Sequence, residues 1–441
     1  MTALAVVVAL ALLTLLIVVG RCPPFVAFIV AALAAALLLG IPLHKVPGSI
    51  ETGVGAMLGP LAVIVVLGAM FGKLVADSGA AHRIADSLLA LLGPRRLPLA
   101  MAGTGFLVGI PLFYNVGFVL MVPLVLSVAR RVGLPAVHVG IPLFAGLSIA
   151  HGFLPPHPSP TALVAQFGGD LGQTLIYGLI VGVPTLAIAG PIFAMSLKGV
   201  GATPAEPATL ETPEEVSVVR RRLPSATASF ACVLLPVLLI AGATVMQGKG
   251  ADEAARAMIG FVGSPMIVLL LSLLIAMAAL GRAAGMGLAS MADTFTAAIR
   301  DIAPILLIIG GAGALKQVLV DSGADRTLVA SLAGLPLPPL VLGWLVAVVI
   351  RVALGSATVA GLTAASLIRP LVASTHTDPN LMTLAVGAGS LMFSHVNDTG
   401  FWMFKEYLGL SLRDTFRSWS LMETLVGSFG LIFTLLLAAL V

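Results

Sequence analysis

The stretch SIAHGFLPPHPSPTALVAQFGGD, residues 148–170, begins as an apolar helix and then breaks at a run of histidines and prolines. A second stretch, LMFSHVNDTGFWMFKEYLGLS at residues 391–411, breaks in the same way at residues 395–400. An unwound backbone is tolerated in hydrocarbon only where protein or a water-filled cavity covers it. Two such breaks at corresponding positions of two halves indicate a solute-binding site inside a membrane protein.

The composition of the chain excludes a soluble globular protein. Of its 441 residues, 59% are hydrophobic and only 10% are charged, whereas soluble domains carry about 25% charged residues. Apolar stretches of membrane length recur from end to end, so the sequence predicts an all-α polytopic membrane protein in a lipid bilayer. The net charge of +4 is small, and we expect no nucleic-acid partner.

The second half of the chain repeats landmarks of the first half at a constant separation of 244 positions. The pairs are residues 77–80 with 321–324, Pro60 with Pro304, residues 87–88 with 331–332, and His151 with His395. One such pair would mean little in a chain rich in Ala and Leu. An ungapped register across four landmarks predicts two related repeats.

Basic residues beside the apolar segments predict the orientation, because cytoplasmic loops are enriched in Lys and Arg. Placing these residues inside gives about ten crossings, with both termini outside. An odd number of crossings then separates the two repeats, so we expect them to be inverted, as in many secondary transporters. The residues placed inside are Arg21, Arg95, Arg96, Arg130, Arg131, Lys198, Arg220, Arg221, Arg222, Arg282, Arg300, Arg413 and Arg417.

Each predicted repeat contains a re-entrant helical hairpin followed by a broken helix. We expect the hairpin tips at residues 113–115 and 355–358. Arg351 and Arg369 oppose the positive-inside pattern, so either they face a polar cavity or the second hairpin is misplaced. The predicted segments are an extra N-terminal span at 1–20; a first repeat at 21–197, with its hairpin at about 97–130 and its broken helix at about 136–170; a cytoplasmic loop at 198–224; a connecting span at 225–247; and a second repeat at 262–441, with its hairpin at about 337–372 and its broken helix at about 380–412.

Several motifs together resemble the gluconate permease (gluconate:proton symporter) family. They are GAMFGKLVADSGAAHRIADSL at 68–88, FYNVGFVLMVPL at 113–124, HGFLPPHPSPTALV at 151–164 and FSHVNDTGFWMFKEYLGLS at 393–411. The resemblance covers nearly the whole chain. It implies uptake of gluconate or a related sugar acid with protons across the bacterial inner membrane. It also implies membership of the ion transporter superfamily, with inverted repeats, two re-entrant hairpins and elevator-like movement.

A hydroxylated anionic substrate needs positive potential for its carboxylate and hydrogen-bonding groups for its hydroxyls. We expect half-helix N-termini and exposed amides at a hairpin tip to supply that potential without a buried cation. The alternative is that these polar side chains satisfy freed backbone groups or pack between helices. The candidate substrate-binding residues are Tyr114, Asn115, His151, His157, Ser159, Thr161, Ser356, Thr358, Asn397 and Thr399.

Three residues are candidates for coupling transport to protons, namely Asp398, His395 and His151. An ionised carboxylate is costly in a bilayer, so acids there usually serve ion pathways. We therefore expect Asp398 to carry or gate the coupled proton. Imidazole titrates near physiological pH, although either histidine could instead close a helix end as a hydrogen-bonded structural residue.

Other polar and aromatic residues are expected to be structural. Asp77 or Ser78 is predicted to cap the amphipathic helix that follows, and Asp321 is expected to act likewise in the second half. Lys73 is expected to reach the interface or to balance a carboxylate. The three tryptophans, Trp344, Trp402 and Trp419, are predicted to anchor the protein at the membrane interface.

Other function classes are less consistent with the sequence. The chain has no GxSxG, HExxH or GxxxxGK[ST] motif, so we expect neither an enzyme nor an ATP-driven pump nor any cofactor. Cys22 and Cys232 lie at or inside predicted spans, and no metal site is expected. A Na⁺-coupled carrier of a different small hydroxy or carboxylic acid remains the closest alternative, followed by a channel. Whether the protein forms a homo-oligomer also stays open.

Overall fold

The computed structural model describes the chain as a bundle of α-helices, without a strand in the described part. The described residues are 2–197, 199–201, 223–247, 253–324, 337–396 and 398–441. The helices are α1 (Thr2–Val18), α2 (Pro24–Leu38), α3 (Val46–Asp77), α4 (Ala80–Leu92), α5 (Leu97–Gly109), α6 (Tyr114–Val132), α7 (Ala136–Phe153), α8 (Pro158–Phe167), α9 (Leu171–Ser196), α10 (Ala226–Gln247), α11 (Glu253–Val262), α12 (Pro265–Gly281), α13 (Leu288–Asp321), α14 (Pro339–Leu354), α15 (Ala357–Thr375), α16 (Pro379–Leu391), α17 (Thr399–Tyr407) and α18 (Leu412–Ala438).

Eight helices in the described ranges are long and apolar enough to cross a membrane, and the bent pair α11 and α12 would make a ninth. The chain is therefore an all-α polytopic membrane protein, as the sequence predicts. Two of the eight, α6 and α15, are the second arms of the predicted hairpins. Helix length and composition alone do not distinguish an arm that crosses the membrane from one that re-enters it. Re-entry of the hairpins and the count of about ten crossings therefore remain predictions. Most of the predicted cytoplasmic loop, at 198 and 202–222, lies outside the described residues.

The two longest helices, α3 and α13, pack against each other along much of their length. Glycines permit their close approach, because a Cβ on Gly53 would lie only 2.4 Å from the carbonyl oxygen of Gly313. Small residues at such crossings let helix backbones meet in the absence of a hydrophobic driving force. Pro60 and Pro304, which match in the sequence repeat, lie inside these two helices.

The two broken helices occupy the most buried part of the bundle. Nearly all residues of α7 and every residue of α16 after Pro379 are buried, which is expected for helices that are apolar on all sides. They cross at two glycines, since a Cβ on Gly387 would lie 2.3 Å from the carbonyl oxygen of Gly152. This contact brings the break after α7, residues 154–157, next to the described part of the break after α16, residues 392–396 and Asp398.

The helix pairs predicted as hairpins end beside these breaks. The chain reverses between α5 and α6 at residues 110–113 and between α14 and α15 at Gly355 and Ser356. Both α5 and α6 pack on α7, whereas α14 packs on α15 and on α16. A Cβ on Gly72 would lie 2.0 Å from the carbonyl oxygen of Pro111, so α3 lies directly against the first reversal.

The predicted caps at Asp77 and Ser78 are wrong. Asp77 is the last residue of α3, and α4 follows a left-handed Gly79 with no side-chain cap. The glycine ends one helix and begins the next without help from a side chain, because it adopts φ +79° at no steric cost. Asp321 likewise ends α13 and accepts a hydrogen bond from Gln317 at 2.8 Å.

Candidate functional site

A cavity of about 730 Å³ lies where the breaks, the hairpin ends and the α3–α13 pair meet. This volume falls within the range of about 300–1,000 Å³ that is typical of small-molecule sites. Three helix N-termini adjoin the cavity, those of α6, α15 and α17. The positive ends of their dipoles favour an anion in the space between them.

Most of the candidate residues from the sequence line this cavity. The predicted residues in its wall are Tyr114, Asn115, His151, His157, Ser356, Thr358, Asp398 and Thr399. They come from both breaks and from both helix pairs predicted as hairpins. The fold therefore brings together side chains that lie up to 285 positions apart in the sequence.

Three predicted residues do not line the cavity, and one lies outside the described residues. Ser159 and Thr161 are buried in α8, where the Thr161 hydroxyl donates to the carbonyl of His157 at 2.7 Å. Helix α8 packs against α15 and α16, and burial in such a helix fits the alternative in which hydroxyl residues pack between helices. His395 Nε2 lies 3.0 Å from the carbonyl oxygen of Val352. Asn397 falls outside the described residues.

A buried arginine stands in the wall of the cavity, so the expectation of a site without a buried cation is wrong. Arg351 lies in the last turn of α14 and is only 4% exposed. Its Nη2 pairs with Oδ2 of Asp398, and its Nη1 donates to the carbonyl oxygen of Gly355. The departure of Arg351 from the positive-inside pattern was the signal in the sequence. Two explanations were open for this departure, a polar cavity or a misplaced hairpin, and the structure supports the polar cavity for Arg351.

Asp398 is the centre of a hydrogen-bond network that fixes the second break. Its Oδ1 accepts from the backbone N–H of Gly400 at 3.0 Å, which caps α17. Its Oδ2 accepts from the Ser394 hydroxyl as well as from Arg351. The indole N–H of Trp419 donates in turn to Ser394 at 2.7 Å. The carboxylate is thus held by a cation, a hydroxyl and a helix N-terminus together.

The prediction that Trp419 anchors the protein at the membrane interface is wrong. Trp419 is 1% exposed and lines the cavity from α18. Its ring lies 5.0 Å from that of Phe404 and 6.5 Å from that of Tyr114. A π-helical turn at Phe416–Ser420 lies at this residue, whose indole N–H reaches Ser394 of the second break, and no pattern in the sequence predicts that turn.

Sequence reasoning also missed Glu423, a buried acid on the same helix. Glu423 is 3% exposed and lines the cavity. The Ser148 hydroxyl, on α7, donates to its Oε1 at 2.5 Å. An acid in the middle of the apolar stretch at 412–438 was the available signal, because charged residues inside spans usually have a function.

The two histidines of the first break form a pair in the cavity wall. His151 Nδ1 and His157 Nε2 lie 3.4 Å apart, with ring centroids separated by 4.6 Å. His151 remains helical within α7, so the first break is shorter than predicted. Tyr114 lies against the ring of His151 and Phe113 against that of His157, which joins the first hairpin end to the first break.

The α3–α13 pair forms the opposite wall. Lys73 pairs with Asp77 at 3.5 Å, and the Thr294 hydroxyl donates to Asp77 at 3.1 Å. Lys73, Asp77 and Asp301 line the cavity. Lys73 therefore balances a carboxylate, one of the two roles expected for it. Within the described part of the chain, no group of three or more His, Cys, Asp or Glu residues could hold a metal ion.

Comparison with known proteins identifies the family. A family model described as GntP family permease matches residues 1–441. The chain is 45% identical over 435 residues to the high-affinity gluconate transporter of Escherichia coli K12, covering 98% of both chains. It is 42% identical over 423 residues to the Gnt-II system L-idonate transporter of the same organism, covering 96% of this chain and 95% of the relative.

Among solved structures, the crystal structure of the YdaH transporter of Alcanivorax borkumensis has a similar fold. The TM-score is 0.64 at 17% identity, with 97% of this chain and 98% of that chain covered. The match supports a transporter fold, and the family match spans the full sequence. The chain therefore belongs to the GntP family of permeases, and it is a membrane transporter rather than an enzyme.

Proposed function

We propose that the protein takes up gluconate or a closely related sugar acid together with protons across the inner membrane of a bacterium. The observation that carries this proposal is the buried Arg351 in the wall of a cavity of suitable size. The names of the relatives, a gluconate and an idonate transporter, supply the substrate class. Both substrates are hydroxylated monocarboxylic acids, which matches a buried guanidinium with hydroxyl and amide side chains in the same cavity wall.

In this proposal the substrate carboxylate binds Arg351, because a guanidinium offers two parallel donors to a carboxylate. The N-termini of α6, α15 and α17 add positive potential around it. The sugar-acid hydroxyls bind the polar side chains of the hairpin ends and of the second break. These side chains are Tyr114, Asn115, Ser356, Thr358 and Thr399.

Asp398 gates this site in the proposed mechanism. In the structure the carboxylate of Asp398, which lies in the second break, is ion-paired with Arg351. An incoming substrate carboxylate therefore competes with Asp398 for the same guanidinium. Exchange of one carboxylate for the other frees Asp398 from Arg351 and couples substrate binding to the conformation of the break. His395, which contacts Val352 outside the cavity wall, has no part in this mechanism.

We further propose alternating access by elevator-like movement of two inverted repeats. The order of a long helix, a helix pair reversing at the cavity and a broken helix occurs twice, as α3 with α5–α8 and as α13 with α14–α17. In this view α3 and α13 form the scaffold. The helix pairs and broken helices, which pack on one another around α7 and α16, move as the transport unit.

The direct test is uptake of labelled gluconate by purified protein in liposomes. We expect accumulation driven by an inward proton gradient, its collapse by a protonophore, and no accumulation from a Na⁺ gradient alone. Competition by aldonates, uronates and small hydroxy acids then defines the substrate. Accumulation that follows the Na⁺ gradient, or flux that only equilibrates the label, would contradict the proposal and favour a Na⁺-coupled carrier or a channel.

A further inference from the structure

Glu423 is buried, whereas Asp398, the acid in the second break, is partly buried, and the two differ in what surrounds them. Asp398 has the guanidinium of Arg351, the Ser394 hydroxyl and the Gly400 N–H as partners. Glu423 has one hydrogen bond, from Ser148 to its Oε1. Its Oε2 is buried and has no hydrogen-bond partner among the described residues. One carboxyl oxygen of Glu423 is therefore unsatisfied in a residue that is only 3% exposed.

The groups that face Glu423 come from three helices and the second break. Helix α7 contributes Ser148 and His151, α14 contributes Arg351, α6 contributes Tyr114, and the second break contributes Asp398. The described parts of α9 and α16, which also pack on α18, place no titratable side chain in the cavity wall. The nearby cation, Arg351, makes its ion pair with Asp398 rather than with Glu423.

An ionised carboxylate buried without a paired cation is strongly disfavoured, whereas a protonated one is neutral and donates a hydrogen bond. A proton on Oε2 would satisfy the unpartnered oxygen and remove the charge. The short contact from Ser148 keeps Oε1 as the accepting oxygen. The geometry of Glu423 thus fits a group that holds a proton when the cavity is closed to water and releases it when the cavity opens.

We propose that Glu423 carries the proton that is coupled to sugar-acid transport, while Asp398 serves as the exchangeable partner of Arg351. This inference rests on the proposed function, proton-coupled uptake through the same cavity. The proton comes from water on the outer side, binds the Glu423 carboxylate, crosses with the substrate and leaves to cytoplasmic water. The substrate carboxylate meanwhile occupies Arg351, so the site carries one anion and one proton together.

The experiment separates two kinds of movement in liposomes that contain the Glu423→Gln variant. Solute counterflow exchanges labelled for unlabelled gluconate and needs no net proton movement. Accumulation driven by a pH gradient needs a carrier that binds and releases the proton. Because glutamine resembles the protonated acid, we expect counterflow within about twofold of the wild type. We expect gradient-driven accumulation to be lost and the pH dependence of exchange to be flat between pH 5.5 and about 8.5.

Glu406→Gln is the matched control, since Glu406 is an exposed acid that pairs with Lys405 outside the cavity. This variant should keep both activities and the wild-type pH profile. Full pH-driven accumulation in Glu423→Gln would overturn the proposal, and so would loss of counterflow together with accumulation. Failure of the wild type to accumulate gluconate with protons would instead reject the proposed function itself.

A second variant keeps the test decisive if Glu423→Gln does not insert into membranes. Glu423→Asp retains a carboxyl but withdraws it by one methylene from Ser148. We expect it to remain proton-coupled, with the pH of half-maximal accumulation displaced from the wild-type value. A pH profile identical to that of the wild type would show that the environment of this carboxyl does not set the coupling, and the assignment of the proton to Glu423 would fail.

Discussion

At the scale of single residues, the proposed function depends on one ion pair, between the buried Arg351 and the partly buried Asp398. Arg351 supplies the positive charge that a carboxylate substrate needs, and in the structure this charge is ion-paired with Asp398. Removing one partner of a buried ion pair is expected to cost about 3–5 kcal/mol, because the other charge is left uncompensated. The two residues should therefore respond differently to substitution, since the substrate can replace Asp398 but nothing in the substrate can replace Arg351.

Arg351→Lys should weaken substrate binding without unfolding the protein. Lysine keeps the positive charge but loses the planar pair of donors. We expect KM for gluconate uptake to rise by roughly 10- to 100-fold, the equivalent of the 1.5–3 kcal/mol of a charge-assisted hydrogen bond. Initial uptake rates over a range of gluconate concentrations measure this. Arg369→Lys, at an exposed arginine outside the cavity, is the control and should match the wild type.

Asp398→Asn should have the opposite effect on binding. Asparagine retains the ability to cap α17, so the second break should keep its form. Arg351 then lacks its carboxylate partner, and we expect gluconate to raise the melting temperature more in this variant than in the wild type. The rate of net uptake should fall, because Asp398 no longer displaces the substrate. An unchanged thermal shift together with full pH-driven accumulation would rule out the gating role.

At the scale of elements, the crossing of α7 and α16 brings the two breaks together. Gly387→Ala would place a methyl group 2.3 Å from the carbonyl oxygen of Gly152, and backbone atoms cannot move aside as a side chain can. Overpacking of this kind costs about 1–3 kcal/mol or more. We expect a lower melting temperature in detergent and a loss of uptake. Gly59→Ala, with nothing within 4 Å of the added methyl, should leave both unchanged.

The elements were more predictable from the sequence than the contacts among them. Proline and glycine positions within apolar stretches mark the first break and both chain reversals, because these residues act on the local backbone. The second break is marked instead by a run of polar residues in apolar sequence. The bond from Ser148 to Glu423 joins residues 275 positions apart, and Arg351 meets Asp398 across 47 positions. Such pairs depend on how helices pack, which hydrophobic periodicity does not report. Trp419 was misassigned for the same reason.

At the scale of the whole molecule, the proposal divides the protein into a scaffold and a moving unit. Phe113 at the first hairpin end and Ile305 of α13 both pack against one small apolar cluster. After replacement of Cys22 and Cys232, cross-linking of Phe113→Cys to Ile305→Cys should block net uptake, because it joins the two units. Reversal of the cross-link should restore uptake.

A cross-link within the scaffold provides the control. A side chain at Gly310 would contact Val54, since a Cβ there lies 3.3 Å from the Val54 side chain. A link between Val54→Cys and Gly310→Cys joins α3 to α13 and should leave uptake intact. Equal inhibition by the two cross-links would contradict the division into these units.

The central claim is that the two broken helices form one cavity in which Arg351 binds the carboxylate of a sugar acid. A cryo-electron microscopy structure of the protein in lipid nanodiscs with gluconate tests it most directly. We predict the gluconate carboxylate within hydrogen-bond distance of the Arg351 guanidinium, with its hydroxyls facing the ends of α6, α15 and α17. Gluconate bound elsewhere, or bound here with its carboxylate directed away from Arg351, would contradict the account.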